Sequence, residues 1–272
     1  MIVRGKNILL NDKCGGKMKK IITECSKYED IPYLFFSEEG AKEQPMVIIA
    51  HGFNNDKFEG VKYALRLANE GIGALCFDLA KQGERYDGFM ESIECDADFG
   101  NILFTIMKES CEDVNKLIDY LKQDERGDSS RIGISGFSHG ANLCYYVLSQ
   151  NEEIKAAVPI LGAPDFLELI IYSLEKDNED DFINQKEQDL LGFVKELNPI
   201  GYLLEKEKRG MLLINAQKDE DVPPDITVKF YERVKDRYEE LPSDFELFLP
   251  DGSHSISDEM IEKAISWLRI NL

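Results

Sequence analysis

Ser138 stands in Gly136-Phe137-Ser138-His139-Gly140, a G-x-S-x-G pattern placed directly after the strand-like run Ile132-Gly133-Ile134-Ser135 and before a helix-like one. A serine on so tight a strand-to-helix turn presents its hydroxyl above the sheet, and glycines on either side let the backbone pass closely. The chemistry on offer is nucleophilic attack, which needs a base because a free hydroxyl is scarcely ionised near neutral pH. The chain has three histidines. His139 adjoins the serine and points elsewhere, while His51 ends the first parallel strand in Ala50-His51-Gly52-Phe53. His254, in Asp251-Gly252-Ser253-His254-Ser255, follows the last strand, where a loop can swing imidazole over Ser138. His254 is therefore the expected base.

An orienting carboxylate would accept the second imidazole N–H, fix the tautomer and stabilise imidazolium. The loop Ala216-Gln217-Lys218-Asp219-Glu220-Asp221-Val222-Pro223 offers Asp219 first, then Asp221 and Glu220, with Asp165 a more remote choice. A tetrahedral oxyanion needs two converging N–H donors. The backbone of His139 supplies one, and that of Phe53, reached through Gly52, supplies the other. His51 is then expected to brace its loop or touch substrate. Arg85, after Gly83-Glu84, is expected either to anchor a substrate carboxylate or to form a structural ion pair.

These residues need a scaffold. Apolar runs at Met46 to Ala50, Ala74 to Phe77, Arg131 to Ser135, Ala156 to Leu161, Met211 to Asn215 and Phe245 to Leu249 read as strands. Between them Phe58, Val61, Leu65 and Ala68, then Val114, Leu117, Ile118 and Leu121, repeat at helical spacing. Val228, Tyr231 and Val234 mark a later helix, and Ile261, Ala264, Ile265 and Leu268 the last. Strands joined by helical crossovers predict an α/β fold, a mostly parallel central sheet flanked by helices. His51-Gly52-Phe53, Ser138, Asp219 and His254 each follow a different strand, so they gather at the carboxyl edge, where such sheets bind ligands.

Residues 1–36 read as an N-terminal β-hairpin region on the sheet edge, with Gly15-Gly16 between its runs. The segment 162–209 is too long for a loop. Two apolar stripes, Phe166, Leu169, Ile170 and Leu174, then Leu190, Phe193, Val194 and Leu197, predict a helical lid or cap insertion whose second helix Pro199 ends. A shorter insertion is expected from Tyr86 to Asn101. Otherwise residues 1–272 form a single domain.

On these residues the chain resembles α/β-hydrolases of the dienelactone-hydrolase and prolyl-oligopeptidase-like esterase group. The matches are His51-Gly52-Phe53, the Asp78 to Arg85 loop (DLAKQGER), Gly136 to Gly140, Asp219-x-x-Val222-Pro223 and Ser253-His254, together spanning about residues 46–272. Two departures stand out. Ser138 occupies the position where dienelactone hydrolases proper use cysteine, and Asn54-Asn55 replaces the glycine of an H-G-x-x-G loop. The Ser138-His254-Asp219 constellation predicts a serine hydrolase, Ser138 in place of cysteine points to general ester chemistry, and the apolar stripes of 162–209 predict small or medium apolar acyl or aromatic esters. A small-peptide peptidase and a non-catalytic binding protein on the same fold are the alternatives.

Composition narrows the partners. With 52 Asp and Glu against 32 Lys and Arg, the net charge of −20 disfavours nucleic acid and anionic membranes. The one dense basic stretch, Lys13 to Lys20, reads as solvated. Six cysteines (Cys14, Cys25, Cys76, Cys95, Cys111, Cys144) make no C-x-x-C pair, and neither a signal peptide nor a run of about 18 apolar residues is visible. A reduced, cytoplasmic chain is expected. Scattered histidines lack an H-x-x-x-H pair, and the acidic clusters Glu94 to Asp98 and Asp177 to Asp181 lack EF-hand spacing, so neither metal nor cofactor is expected. The expected partner is a small-molecule ester, and a homodimer stays open.

Overall fold

A computed structural model describes residues 3–4, 8–9, 19–177, 184–240 and 244–272. Among these, ten strands join one sheet: β1 (Val3–Arg4), β2 (Ile8–Leu9), β3 (Lys20–Tyr28), β4 (Ile31–Glu38), β5 (Gln44–Ala50), β6 (Gly73–Phe77), β7 (Gly127–Phe137), β8 (Ala156–Ile160), β9 (Gly210–Ile214) and β10 (Phe245–Phe248). Their order is β1-β3-β4-β6-β5-β7-β8-β9-β10, with β2 also on β3. Strands β5 to β10 are parallel, and β4 runs antiparallel to both β3 and β6. Eight helices surround the sheet: α1 (Val61–Asn69), α2 (Asp96–Gln123), α3 (His139–Gln150), α4 (Phe166–Asp177), α5 (Gln185–Leu197), α6 (Ile200–Glu205), α7 (Pro224–Val234) and α8 (Asp258–Asn271) among the described residues. The arrangement has the expected fold class.

The near-continuous apolar character of the parallel strands follows from burial on both faces. Along β5, Met46, Ile48 and Ala50 join a core with Met107, Val114 and Leu117 of α2, Leu143 and Val147 of α3, and Phe230 of α7. The alternate residues Val47 and Ile49 face Leu67 of α1 and Ile261 and Leu268 of α8. Each such side chain contributes about 1.5–3 kcal/mol on burial. Trp267 belongs to this second core.

Several local expectations are corrected. Phe58 is exposed and precedes α1, whose buried face is Tyr63, Ala64, Leu67 and Ala68, because Gly60 packs against Cys76 and Ile49 and starts the helix one turn later. The turn between β3 and β4 falls at Glu29-Asp30, with Glu29 at φ 52°; Gly15-Gly16, Cys14 and most of the Lys13 to Lys20 stretch lie outside the described residues. Of residues 86–101, Phe89–Ser92 form a short 3₁₀ turn, and 96–101 are the opening of α2. The described residues of 162–209 form three helices instead of two, since α6 follows Pro199 directly; residues 178–183, including most of the acidic Asp177 to Asp181 cluster, are not among those described. Phe166 of α4 and Leu190 of α5 pack on α2 through Phe104 and Gly100. No helix among the described residues is long and apolar enough to cross a membrane.

Candidate active site

Strand β7 ends at Phe137 and α3 begins at His139, leaving Ser138 at φ 52°, ψ −111°. A non-glycine residue held there costs on the order of 1–3 kcal/mol, and the surroundings hold it. Its N–H donates to the Ile160 carbonyl at 2.8 Å, and its carbonyl accepts from Ala141 and Asn142. The two motif glycines have no room for side chains. A Cβ on Gly136 would lie 2.3 Å from the Gly140 oxygen, and one on Gly140 2.3 Å from the Ala50 oxygen.

The Ser138 Oγ lies 2.8 Å from His254 Nε2, and His254 Nδ1 lies 2.7 Å from Asp219 Oδ2. Asp219 is fully buried at its side chain, and its Oδ1 accepts the N–H groups of Asp221 at 3.0 Å and Val222 at 2.9 Å. The hydrogen bond to this carboxylate is the main influence holding the His254 imidazole above its ordinary pKa, against the opposing effect of burial. The other acid candidates are engaged differently. Asp221 contributes its backbone, Glu220 offers its carbonyl to Tyr172 and Lys176, and Asp165 accepts from Glu168 N and Asn198 Nδ2. Through Tyr172 and Lys176, α4 leans on the loop that carries Asp219.

The loops bearing Asp219 and His254 are stitched together beyond the ends of β9 and β10. Asn215 N–H donates to Phe248 O at 3.1 Å, Gln217 N–H to Pro250 O at 3.0 Å, and Lys218 N–H to Gly252 O at 2.9 Å. Asp219, Asp221 and His254 are also the one group among the described residues whose donor atoms lie close enough, within 4.8 Å, to ligate a metal.

The backbone N–H groups of Phe53 and His139 have no acceptor among the described residues. The loop holding Phe53 is fixed from several sides. Glu59 accepts Gly52 N–H and Asn55 Nδ2, each at 2.6 Å. His51 is buried, donates from Nδ1 to Gly52 O at 2.7 Å and accepts Leu79 N–H on Nε2 at 3.0 Å, so both ring nitrogens are spent on the scaffold. Burial lowers its pKa and favours this neutral form. The ring of His139, which burial drives down to about 3, meets the Phe53 ring edge-on at 6.2 Å, and Phe89 and Phe99 close the same apolar wall.

Arg85 donates to Asp113 Oδ2 at 2.5 Å and to the Asp78 carbonyl at 3.2 Å, which ties the 78–85 loop to α2. Sequence reasoning missed the partner of this loop, Lys57. Its ammonium is 2% exposed and donates to Asp78 Oδ2 at 2.7 Å and Glu84 Oε1 at 2.8 Å, while its N–H meets Asp78 Oδ1 at 2.8 Å. The D-x-x-x-x-G-E-R spacing was the visible half of the signal; nothing local pointed to a lysine 21 positions earlier. Cys76 and Cys144 are buried, and burial pushes both thiols up, as befits packing residues.

The model of the family described as "Prolyl oligopeptidase family" matches residues 100–268. The chain is 28% identical over 251 residues to "Putative esterase YitV" of Bacillus subtilis, covering 89% of this chain and 96% of that protein. It is 22% identical over 260 residues to "Esterase YjfP" of Escherichia coli, covering 92% and 98%. Among solved structures it superposes on TT1662 from Thermus thermophilus with a TM-score of 0.73 at 15% identity, over 92% of this chain and 97% of that one.

Proposed function

The chain belongs to the prolyl oligopeptidase family and has the α/β-hydrolase fold, and from that premise we propose that it is a serine hydrolase of carboxylic esters. That it is an esterase-like hydrolase agrees with the relatives named esterases, which match most of its length. The observation that carries the finer reading is the continuous relay from Ser138 Oγ through His254 to Asp219, with links of 2.8 and 2.7 Å.

In this reading Ser138 Oγ attacks the ester carbonyl carbon as His254 Nε2 takes its proton. Asp219 keeps the Nδ1 proton in place and stabilises the imidazolium. The unpaired amides of Phe53 and His139 are the oxyanion donors, each worth about 2.7–4 kcal/mol in the transition state. His254 then protonates the departing alkoxide, leaving an acyl-Ser138. Water, deprotonated by the same imidazole, adds to the acyl carbon, and collapse returns the serine hydroxyl and a carboxylic acid. Phe53, Phe89 and Phe99 supply an apolar wall suited to a small or medium acyl or aromatic group. Helices α4 and α5 act as a cap, α5 anchored on α2 and α4 on the Glu220 carbonyl.

The family match favours one second reading, cleavage of small peptides by the same relay. Matched p-nitrophenyl esters and aminoacyl nitroanilides separate the two, with ester turnover and no enzyme-dependent release of nitroaniline expected. A fluorophosphonate probe should label wild-type protein at Ser138 and leave Ser138→Ala unlabelled. A folded wild-type protein that takes no label would overturn the nucleophile assignment.

A further inference from the structure

Glu59 is half-buried seven residues beyond Gly52, and its Oε2 accepts the Gly52 N–H at 2.6 Å. Its Oε1 accepts Asn55 Nδ2, also at 2.6 Å, and that amide is oriented because Asn55 Oδ1 takes the Asp56 N–H at 3.2 Å. Both partners of Glu59 are therefore donors, which selects the ionised carboxylate. Burial pushes its pKa up, the two hydrogen bonds work against that, and the charged group acting on it among the described residues is another anion, Asp56. A half-buried charge without a cation is costly to keep. Two N–H donors alone sustain it, and one of them belongs to the backbone of the oxyanion loop.

Gly52 and Phe53 share a peptide group, which is planar and trans, so its C=O and its N–H point in opposite directions. The Phe53 N–H, which has no acceptor among the described residues, is thus aimed by whatever fixes Gly52. His51 Nδ1 takes the Gly52 carbonyl at 2.7 Å. A glycine still pivots readily about its own φ and ψ, and space does not prevent it, since a Cβ at Gly52 would meet its nearest atom at 3.5 Å. Glu59 removes this freedom by clamping the preceding peptide group through the Gly52 N–H. Its other oxygen, on Asn55, ties down the loop on the far side of Phe53. Oxyanion donors act through preorganisation, and one that must be turned into place during the reaction loses much of its worth.

We propose that Glu59 is a positioning residue for the reaction, an anion outside the Ser138-His254-Asp219 relay that aims the Phe53 N–H at the developing O⁻ through Gly52. The proposal rests on the esterase reading and assigns the support of its oxyanion site. Because Glu59 acts through Gly52, its removal should be felt in the transition state and leave ground-state binding as it was.

Wild type, Glu59→Leu, Glu59→Gln, Asn55→Asp and the double variant Glu59→Gln/Asn55→Asp are compared on p-nitrophenyl butyrate, with circular dichroism to establish folding. Removing an oxyanion donor outright costs about 10²–10³-fold in kcat. Glu59→Leu leaves the donor present but unaimed, and should lose at least tenfold in kcat with KM within threefold of wild type. Glutamine offers one acceptor to two donors, and Asn55→Asp sets two carboxylates face to face, so each single change should cost activity. Together they restore the match of donors and acceptors and should recover kcat to within threefold; this pair carries the test if the leucine variant does not fold. The second readout is the affinity for 1,1,1-trifluorohexan-2-one, followed by ¹⁹F NMR, whose hemiketal with Ser138 carries the same O⁻ without turnover. Its Kd should rise in Glu59→Leu by the factor that kcat/KM falls, whereas a mere loss of folded protein would leave Kd unmoved. Unchanged kcat and Kd in folded Glu59→Leu, a fall in kcat without a rise in Kd, or a double variant no better than its parents overturns the proposal and leaves the esterase reading intact. If the ketone binds and weakens as expected while no ester is cleaved, the assignment of Glu59 stands and the esterase reading fails. A wild type that neither binds the ketone nor cleaves the ester overturns both.

Discussion

Replacing Asp219 by Asn tests the relay at its least exposed point. Asn keeps the shape, and its Oδ1 faces a choice between the two N–H groups of Asp221 and Val222 and the single Nδ1 of His254. Two donors outweigh one, so the amide oxygen stays with the backbone and the NH₂ turns toward the imidazole. Nδ1 must then accept, which moves the ring proton to Nε2, the nitrogen 2.8 Å from Ser138 Oγ. The base no longer has a lone pair where the serine proton must go. A tautomer error of this kind costs about 10⁴-fold in kcat, equivalent to about 5.4 kcal/mol at about 1.36 kcal/mol per decade. The assay is kcat/KM on p-nitrophenyl butyrate beside the fluorophosphonate labelling rate, with circular dichroism to establish folding. Asp221→Asn, whose side chain is outside the relay, should stay within a few-fold of wild type. A folded Asp219→Asn that loses less than tenfold, or an Asp221→Asn that loses as much, refutes the reasoning.

Because the Asp219 carboxylate raises the His254 pKa, kcat/KM should fall as pH drops through an inflection above the ordinary 6.5; a limb at or below that value argues against this base. The same shift stabilises the fold below the unfolded pKa, and that contribution is lost as pH rises through the folded one. Lys57→Met leaves the buried Asp78 carboxylate without its cation and should cost about 3–5 kcal/mol in urea unfolding; a loss under about 1 kcal/mol would show that the pair is not sustaining the 78–85 loop. Gly140→Ala sets a Cβ 2.3 Å from Ala50 O and 2.6 Å from His51 O, both backbone, and should cost about 1–3 kcal/mol with a large fall in activity. By contrast Gly192→Ala, in α5 with nothing within 4 Å, should stabilise by about 0.5–1 kcal/mol. Equal effects of the two glycine changes in urea titrations would contradict the packing argument.

The parallel sheet was legible because burial on both faces writes short apolar runs, and its ends located Ser138, Asp219 and His254 because each follows such a run. Phe58 misled since its spacing continues the stripe of α1, yet the close fit of Gly60 on Cys76 decides where that helix begins. The third helix in 162–209 was hidden by Pro199, which ends α5 and also opens α6 as its N-cap. Lys57 and Asp78 depend on contacts between separate loops, for which no periodicity exists. His51 was suggestive only as a residue type. That both of its nitrogens are consumed by Gly52 and Leu79 emerges once β5 and β6 lie side by side.

The three backbone stitches between the segments that follow β9 and β10 make the carboxylate and the imidazole passengers on one platform. Ser138 rides on β7, with β8 intervening. Any sliding of one region past the other would leave the acid–base couple intact and interrupt a single junction, the one at the hydroxyl. Transplanting residues 210–255 between related chains should accordingly carry a preassembled couple, with only the alignment toward its new serine left to be tuned.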